Sequence, residues 1–201
     1  MAEQRLGTFA ITNARLSFPT LWQKKKSSED AKPKYSCTLL IDPETDSGKD
    51  NIAHIEKELK ALAKRAWNEK GEKVLKALDV KRRPLVDGEA CTNQEGDVYH
   101  GYEGMMAFKC GNPKEFKRLD RDKSPLTEET ADELNRLYAG CYVDAVVNIY
   151  SVTDQKKGGN GIFASIEVLR HRRSGEPFGA APVEEDDYLD DLGDEDDDDL
   201  V

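Results

Sequence analysis

Two apolar segments in the C-terminal half of the chain constrain the fold more than any other feature. They read CYVDAVVNIYSV (141–152) and GIFASIEVLR (161–170), and they are joined by TDQKKGGN. Alternating residues around a linker rich in glycine and asparagine are typical of a β-hairpin. With the turn centred between Lys156 and Lys157, the predicted core-facing pairs are Ala145–Val168, Val147–Ile166 and Ile149–Ala164. The chain is therefore expected to build an antiparallel sheet.

The other face of this hairpin carries a different set of residues. In the same register Asn148 lies opposite Ser165, and Tyr150 lies opposite Phe163. A polar face with an aromatic pair is suited to stacking nucleic-acid bases, although an aromatic pair in a sheet more often reflects simple packing.

Further elements follow from residue spacing. Strands are predicted at Thr8–Phe18, Lys34–Ile41 and Met105–Cys110, with Ala10, Leu16 and Phe18 on one face of the first strand and Phe9 and Ile11 on the other. A helix is predicted from Ser47 or Asp50 to Gly71, and a short one begins near Thr127. The region 81–104 is rich in turn formers and is expected to be irregular. The fold class is mainly β with inserted helices (α+β), as an OB-like five- or six-stranded antiparallel barrel.

Charge divides the chain into two parts, 1–183 and 184–201. The second part holds 12 carboxylates and no lysine or arginine, and without it 30 basic residues face 28 acidic ones. The body is thus mildly basic, and the acidity of the protein belongs to a C-terminal tail that we expect to be disordered. Such asymmetry indicates a nucleic-acid surface or an interaction tail rather than a uniformly acidic protein.

Lysines and arginines alternate with aromatic residues in three segments of the body. In an OB fold, the loop after strand 1 and the loop between strands 4 and 5 border the ligand groove, and here these are 19–33 and 153–160. A cationic groove with exposed rings is what single-stranded nucleic acid requires. The predicted ssDNA-binding residues are Trp22, Lys24, Lys25, Lys26, Lys32, Lys34, Tyr35, Lys114, Phe116, Lys117, Arg118, Tyr150, Lys156, Lys157 and Phe163.

Sequence motifs of nucleotide-dependent enzymes and serine hydrolases are missing from the chain. Two short segments with carboxylates, Glu58-Leu59-Lys60 and Asp87-Gly88-Glu89, leave a metal-dependent nuclease as a remote alternative. A zinc site at Cys91, His100 and Cys110 matches no common ligand spacing. We expect a non-enzymatic cytoplasmic protein with no cofactor, no metal and no membrane segment.

The segments NARLSFPTLW, KPKYSCTLLID, GCYVDAVVNIYSV and GGNGIFASIEVLRHRRSGEPFG occur in this order and are followed by the acidic tail. In this the chain resembles a family of single-stranded-DNA-binding proteins of tailed bacteriophages. The resemblance implies an OB-type barrel with extra helices, sequence-independent ssDNA binding, and a role in phage replication or recombination. Trp22 departs from the family pattern, in which phenylalanine is commoner at this place.

The resemblance also gives the tail a role. Acidic C-terminal segments of single-strand-binding proteins recruit replication or recombination proteins and compete with DNA for the cationic groove. The residues that match such a segment are Asp196, Asp197, Asp198, Asp199, Leu200 and Val201, without the terminal aromatic residue of bacterial and T7-like tails. The main alternative is an acidic DNA mimic or chaperone in which the tail is the active part. The sequence leaves a homodimer open.

Overall fold

The fold is a strongly rolled sheet to which helices are added in the connections. The computed structural model describes residues 7–26, 29 and 31–179. Within these residues the strands are β1 (Thr8–Lys25), β2 (Lys34–Ile41), β3 (Leu85–Asp87), β4 (Met106–Asn112), β5 (Lys117–Leu119), β6 (Tyr142–Val152) and β7 (Gly161–Arg173). The α-helices are α1 (Asp46–Trp67), α2 (Gly71–Ala77) and α3 (Glu128–Glu133). The strand order is β3-β4-β2-β1-β6-β7-β5, and every pair is antiparallel except β5 with β7.

Strands β4 and β7, the long strands next to the two short edge strands of the sheet, meet at a seam. Asn112 on β4 is buried, and its Nδ2 donates a hydrogen bond of 2.8 Å to the carbonyl of Ile166 on β7. Five strands in the order β4-β2-β1-β6-β7 thus roll into an OB-like barrel, which confirms the predicted fold class. The described residues form seven strands rather than five or six, because β3 forms within the region predicted as irregular and β5 within the segment 111–125, whose lysines and arginines surround Phe116.

Strand β1 differs from the prediction in length and in its faces. It runs on to Lys25, because Thr20 and Lys25 still pair with Ser36 and Lys34 of β2. A register shift between Ile11 and Ala14 inserts one extra residue relative to β6. Phe9 and Ile11 are therefore buried before the bulge, and Ala14 and Leu16 after it. The predicted single alternation over Thr8–Phe18 was wrong for this reason.

The β6–β7 hairpin has the predicted register near its turn and a shifted one beyond it. Val147 pairs with Ile166, Ile149 with Ala164 and Tyr150 with Phe163, as expected. Farther from the turn, a register shift between Val147 and Val146 places Ala145 opposite Leu169 instead of Val168. The extra residue on β7 is Glu167, which is exposed.

Helix α1 covers the core at one end of the barrel. Thr45 caps the helix by accepting a 3.1 Å hydrogen bond from the Gly48 amide, and Ile55, Leu59 and Leu62 are buried. The helix ends at Trp67, four residues before the predicted stop at Gly71, which instead begins α2. Thr127 caps α3 as predicted. No helix among the described residues is long and apolar enough to cross a membrane.

Candidate nucleic-acid interface

A groove crosses the outer face of β2 and β4, the face that OB folds use for oligonucleotides. Two adjoining clefts of about 360 and 510 Å³ form it, and both are lined by Phe18, Thr38, Lys81 and Lys109. Residues of β2 alternate between the core and this groove, so Cys37 is buried in the main core while Ser36 and Thr38 line the floor. We call it the β2–β4 groove.

Phe18 projects into the groove because of a local backbone irregularity. Its φ is +45°, and the pairing of β1 with β2 shifts register between Ser17 and Thr20. The side chain is 54% exposed, although the alternation of the sequence predicts it on the same face as Leu16, which is fully buried. Its ring meets Tyr99 edge-on at 4.7 Å. A bulge that re-aims a large apolar ring toward solvent is typical of binding sites.

The aromatic pair of the hairpin lines the other end of the groove. The rings of Tyr150 and Phe163 are 6.1 Å apart and inclined by 35°, and Tyr150 is 45% exposed. Burial raises the pKa of Tyr150, so the hydroxyl remains uncharged at neutral pH. Of the large apolar and aromatic side chains in the described chain that are exposed, two of three (Phe18 and Tyr150, but not Leu134) lie on this groove.

The loop between β6 and β7 is held in place from outside the hairpin. Arg82 donates 2.7 Å hydrogen bonds to the carbonyls of Gly159 and Asn160, and its guanidinium lies 5.4 Å from the Phe163 ring. Trp67 Nε1 donates to Asn160 Oδ1 at 3.1 Å. These contacts fix the position from which the hairpin presents Tyr150 and Phe163.

Four cationic side chains, Lys34, Lys81, Arg83 and Lys109, line the groove. Gly111 lies against β2 beside Lys34, where a Cβ would lie 2.7 Å from the Tyr35 carbonyl oxygen and 3.3 Å from the lysine Cδ. The Nε atom of Arg83 is buried and has no hydrogen-bond partner among the described residues. A buried donor without a partner is expensive, and a phosphate oxygen would satisfy it.

Four of the predicted binding residues pack together instead of lining the groove. The guanidinium of Arg118 lies 5.0 Å from the Trp22 ring, 4.9 Å from Tyr35 and 4.3 Å from Phe116. Tyr35 and Phe116 are buried in the core, so their rings offer little surface for a base. Arg118 is only 10% exposed and is paired with Glu115 at 2.9 Å. The hydrogen bond from Tyr35, together with Arg118, lowers the pKa of Glu115. This cluster joins the segment before β5 to β1 and β2.

The other predicted lysines are exposed and line neither cleft of the groove. They lie on the end of β1, in the loop that follows it, at the start of β5 and in the loops after β4 and β6: Lys24, Lys25, Lys26, Lys32, Lys114, Lys117 and Lys156. The side chain of Lys157 and the tail residues Asp196–Asp199, Leu200 and Val201 lie outside the described part of the molecule.

Phe18, Tyr99, Lys81, Arg83 and Lys109 line the groove but were not predicted from the sequence. Two signals in the sequence could have indicated the three cationic residues of this set. Lys109 is the one charge in the apolar run MMAFKC, and a charge in such a strand has to point away from the core. Lys81 and Arg83 belong to the basic run KRRP.

The residues considered for metal chemistry have other surroundings. Asp87 accepts a hydrogen bond of 2.9 Å from the Glu89 amide and caps a turn, and Glu58 is half-buried on α1. Cys91 and Cys110 are buried free thiols in two different apolar clusters. Residues 7–26, 29 and 31–179 contain no group of three or more acidic, histidine or cysteine side chains arranged to hold a metal ion.

An OB barrel with exposed rings and cations on its β2–β4 face defines the class of OB-fold proteins that bind single-stranded nucleic acid. Comparison with known families agrees with this class. The family model of the ssDNA-binding protein of Enterobacter phage Enc34 matches residues 8–201. The chain belongs to this family.

Individual relatives support the assignment. A putative protein, p50, of Acyrthosiphon pisum secondary endosymbiont phage 1 is 31% identical over 185 residues, which cover 89% of this chain and 92% of the relative. The ssDNA-binding protein of bacteriophage Enc34, solved in complex with ssDNA, has a TM-score of 0.68 at 24% identity, covering 87% of this chain and 91% of that one. The bacteriophage T7 ssDNA-binding protein gp2.5 shares the fold, with a TM-score of 0.52 at 13% identity over 94% and 96% of the two chains.

Proposed function

We propose that this protein binds single-stranded DNA without sequence preference in the β2–β4 groove, and that it protects phage DNA during replication or recombination in the host cytoplasm. The observation that carries the proposal is the placement of Phe18 and Tyr150, both exposed, at separate points along a groove lined by four cations. Bases stack on the rings while lysine and arginine follow the phosphates. This role requires binding alone and no catalysed reaction.

Several predicted residues contribute from the margin of the groove. Lys34 lies within it, and Lys24, Lys25, Lys26, Lys32, Lys114, Lys117 and Lys156 are exposed outside it. Such lysines raise the local concentration of a polyanion and are sensitive to salt. Trp22, Tyr35, Phe116 and Arg118 act indirectly in this proposal, because their packing positions β1 and β2.

The acidic tail acts on the same groove. A tethered chain with 12 carboxylates has a high effective concentration beside four cations and imitates phosphate charge. ssDNA displaces the tail, and its terminal residues Asp196–Asp199, Leu200 and Val201 then become available to replication or recombination proteins.

The test is a salt titration of the binding of a fluorescent dT oligonucleotide, followed by anisotropy. We compare the wild type with Lys81→Gln/Lys109→Gln and with a matched control, Lys57→Gln/Lys64→Gln, whose lysines are exposed on α1 and away from both clefts. Each lost phosphate contact should make the log-log salt dependence shallower by about 0.7. A groove variant that keeps the wild-type affinity and slope would refute the proposal.

Two further measurements separate the alternatives. A chain ending at Pro182 should bind dT as tightly as the full chain or more tightly, whereas a DNA mimic or chaperone whose activity resides in the tail would lose its binding. A labelled oligonucleotide incubated with Mg²⁺ should remain intact, and its cleavage would indicate a nuclease.

A further inference from the structure

A second cationic surface lies away from the groove, at the opposite end of the β6–β7 hairpin. Two adjoining clefts of about 430 and 330 Å³ form it, and both are lined by Arg121, Arg172 and Arg173. Arg136 and Arg170 complete a set of five arginines, which we call the arginine cleft. Asp144 of this cleft and Tyr150 of the groove are six residues apart on the same face of β6, a separation of about 20 Å. The two sites are therefore separate.

The arginines of the cleft are only partly neutralised. Asp144 pairs with Arg170 at 2.6 Å and with Arg172 at 3.1 Å. Asp120 similarly pairs with Arg136 at 3.1 Å.

Two arginines remain without a carboxylate. Asp122 is engaged by the amide and the hydroxyl of Ser124. Arg121 and Arg173 have no carboxylate partner among the described residues. Guanidinium groups in excess of carboxylates favour a ligand that supplies further carboxylates or phosphates.

A buried polar atom points to the same conclusion. His171 lines the cleft, is 3% exposed, and its Nδ1 has no hydrogen-bond partner among the described residues. Buried polar atoms are nearly always paired, so an unpaired one in a cleft indicates that something else completes the site. An anionic oxygen entering the cleft would meet both this imidazole and the uncompensated guanidinium groups.

The described chain ends beside this cleft. The guanidinium of Arg15 lies 4.2 Å from the Phe178 ring and 5.7 Å from the Tyr142 ring. The guanidinium of Arg173, a residue of the cleft, lies 3.2 Å from the same Tyr142 ring. The amide of Phe178 donates to the carbonyl of Ala139 at 3.0 Å, which fixes the end of the described chain, five residues before the tail. Three side-chain contacts, Phe178–Arg15, Arg15–Tyr142 and Tyr142–Arg173, thus connect the end of the described chain with the cleft.

The spacing of charges in the tail fits this position. Its first acidic block is 184–187, with four consecutive carboxylates, and the block 194–199 follows after YLDDLG. Five extended residues from Gly179 to Glu184 span about 17 Å. This length exceeds the sum of the three distances that connect Phe178 to Arg173 through Arg15 and Tyr142. The first block can therefore reach the arginine cleft while the second remains free for other partners.

We propose that the arginine cleft binds the first acidic block of the chain's own tail, Glu184–Asp187. The proximal part of the tail is then bound to the body, and only its distal half is available to the β2–β4 groove or to other proteins. This anchor holds whether or not the groove binds ssDNA, so the two proposals fail separately.

Backbone NMR spectra of the full chain test the anchor. Neutralisation of the first block, by Glu184→Gln, Glu185→Gln, Asp186→Asn and Asp187→Asn, should shift the amide signals of Arg121, Arg172, Arg173 and Ser174. The matched control neutralises four distal carboxylates, Asp196–Asp199, to asparagine and removes the same charge. It should leave those cleft signals in place. Shifts confined to groove residues such as Thr38 and Lys109, or no shift at all, would overturn the proposal.

A second pair of variants tests the cleft from the protein side. Arg121→Gln/Arg172→Gln should move the amide signals of 184–187 to the positions they take in the wild type at high salt, where exposed ion pairs are screened. The control Lys57→Gln/Lys64→Gln should not move them. Signals of 184–187 that do not respond to the arginine variant would contradict the anchor.

ssDNA is the competing occupant of the cleft, and one measurement distinguishes it. In the chain whose first acidic block is neutralised, adding Arg121→Gln/Arg172→Gln should change dT affinity by less than about twofold. A loss of about fivefold or more would assign the cleft to phosphates and overturn the proposal.

Discussion

Replacement of Tyr150 by leucine tests the stacking surface of the groove most directly. Tyr150 is 45% exposed at the end of β6, so removal of its ring leaves no cavity in the core. Its main contact within the protein is with Phe163 at 6.1 Å, and a cross-strand pair of this kind contributes roughly 0.2–1 kcal/mol to stability. The folded state should therefore persist, which thermal unfolding verifies.

The expected loss of affinity is larger than the loss of stability. A base stacked on an aromatic side chain contributes about 1–3 kcal/mol, so the Kd of Tyr150→Leu for a dT oligonucleotide should rise by about 5- to 150-fold. The salt dependence should keep its slope, because stacking releases no counterions. Anisotropy titrations at several salt concentrations measure both quantities.

Two controls decide the interpretation. Tyr150→Phe keeps the ring and should bind nearly as the wild type does, and Leu134→Ala removes an equally exposed apolar side chain outside the groove. A folded Tyr150→Leu protein whose Kd stays within about twofold of the wild type would refute the role of this ring in stacking.

Three further predictions concern the seam, the arginine cleft and the loop after β6. Asn112→Ala should lower the free energy of unfolding by about 1–3 kcal/mol in urea, since the Ile166 carbonyl loses a buried donor. Burial alone would raise the pKa of Asp144, but its hydrogen bonds with Arg170 and the Asn13 amide and the charge of Arg172 lower it below 3.8. Its stabilisation is therefore complete above pH 3.8 and is lost as the pH falls through the lowered pKa, so Asp144→Asn should flatten the acid limb of unfolding-midpoint curves. Lys156→Glu/Lys157→Glu should weaken binding to all ssDNA sequences alike, and a loss confined to one sequence would indicate base readout.

Local signals in the sequence account for the elements that were predicted well. The register of the β6–β7 hairpin near its turn follows from TDQKKGGN, because short-range turn chemistry fixes which residues face each other. The bounds of β2 were predicted to the residue, since its run KYSCTLLI lies between polar segments. The cap of α3 similarly depends on Thr127, which directly precedes the helix. Helix α1 instead begins at Asp46 with Thr45 as its cap, before the predicted start at Ser47 or Asp50.

The errors come from insertions of single residues. The extra residue between Ile11 and Ala14 in β1 and the extra residue Glu167 in β7 reverse which side chains face the core, and an alternating pattern contains no mark of such a bulge. Only pairing with the neighbouring strand reveals it. The exposure of Phe18 has the same origin, since the shift between Ser17 and Thr20 turns its ring out of the core.

The sequence by itself determined the separation of charge, the β-rich class and the aromatic pair of the hairpin, because these depend on composition and on neighbours in the chain. The tertiary structure alone decided which rings are available. It buries Tyr35 and Phe116 around Arg118 and exposes Phe18. It also gathers Lys34, Lys81, Arg83 and Lys109 from separate segments into one groove, since the rolling of the sheet brings together residues that are far apart in the chain.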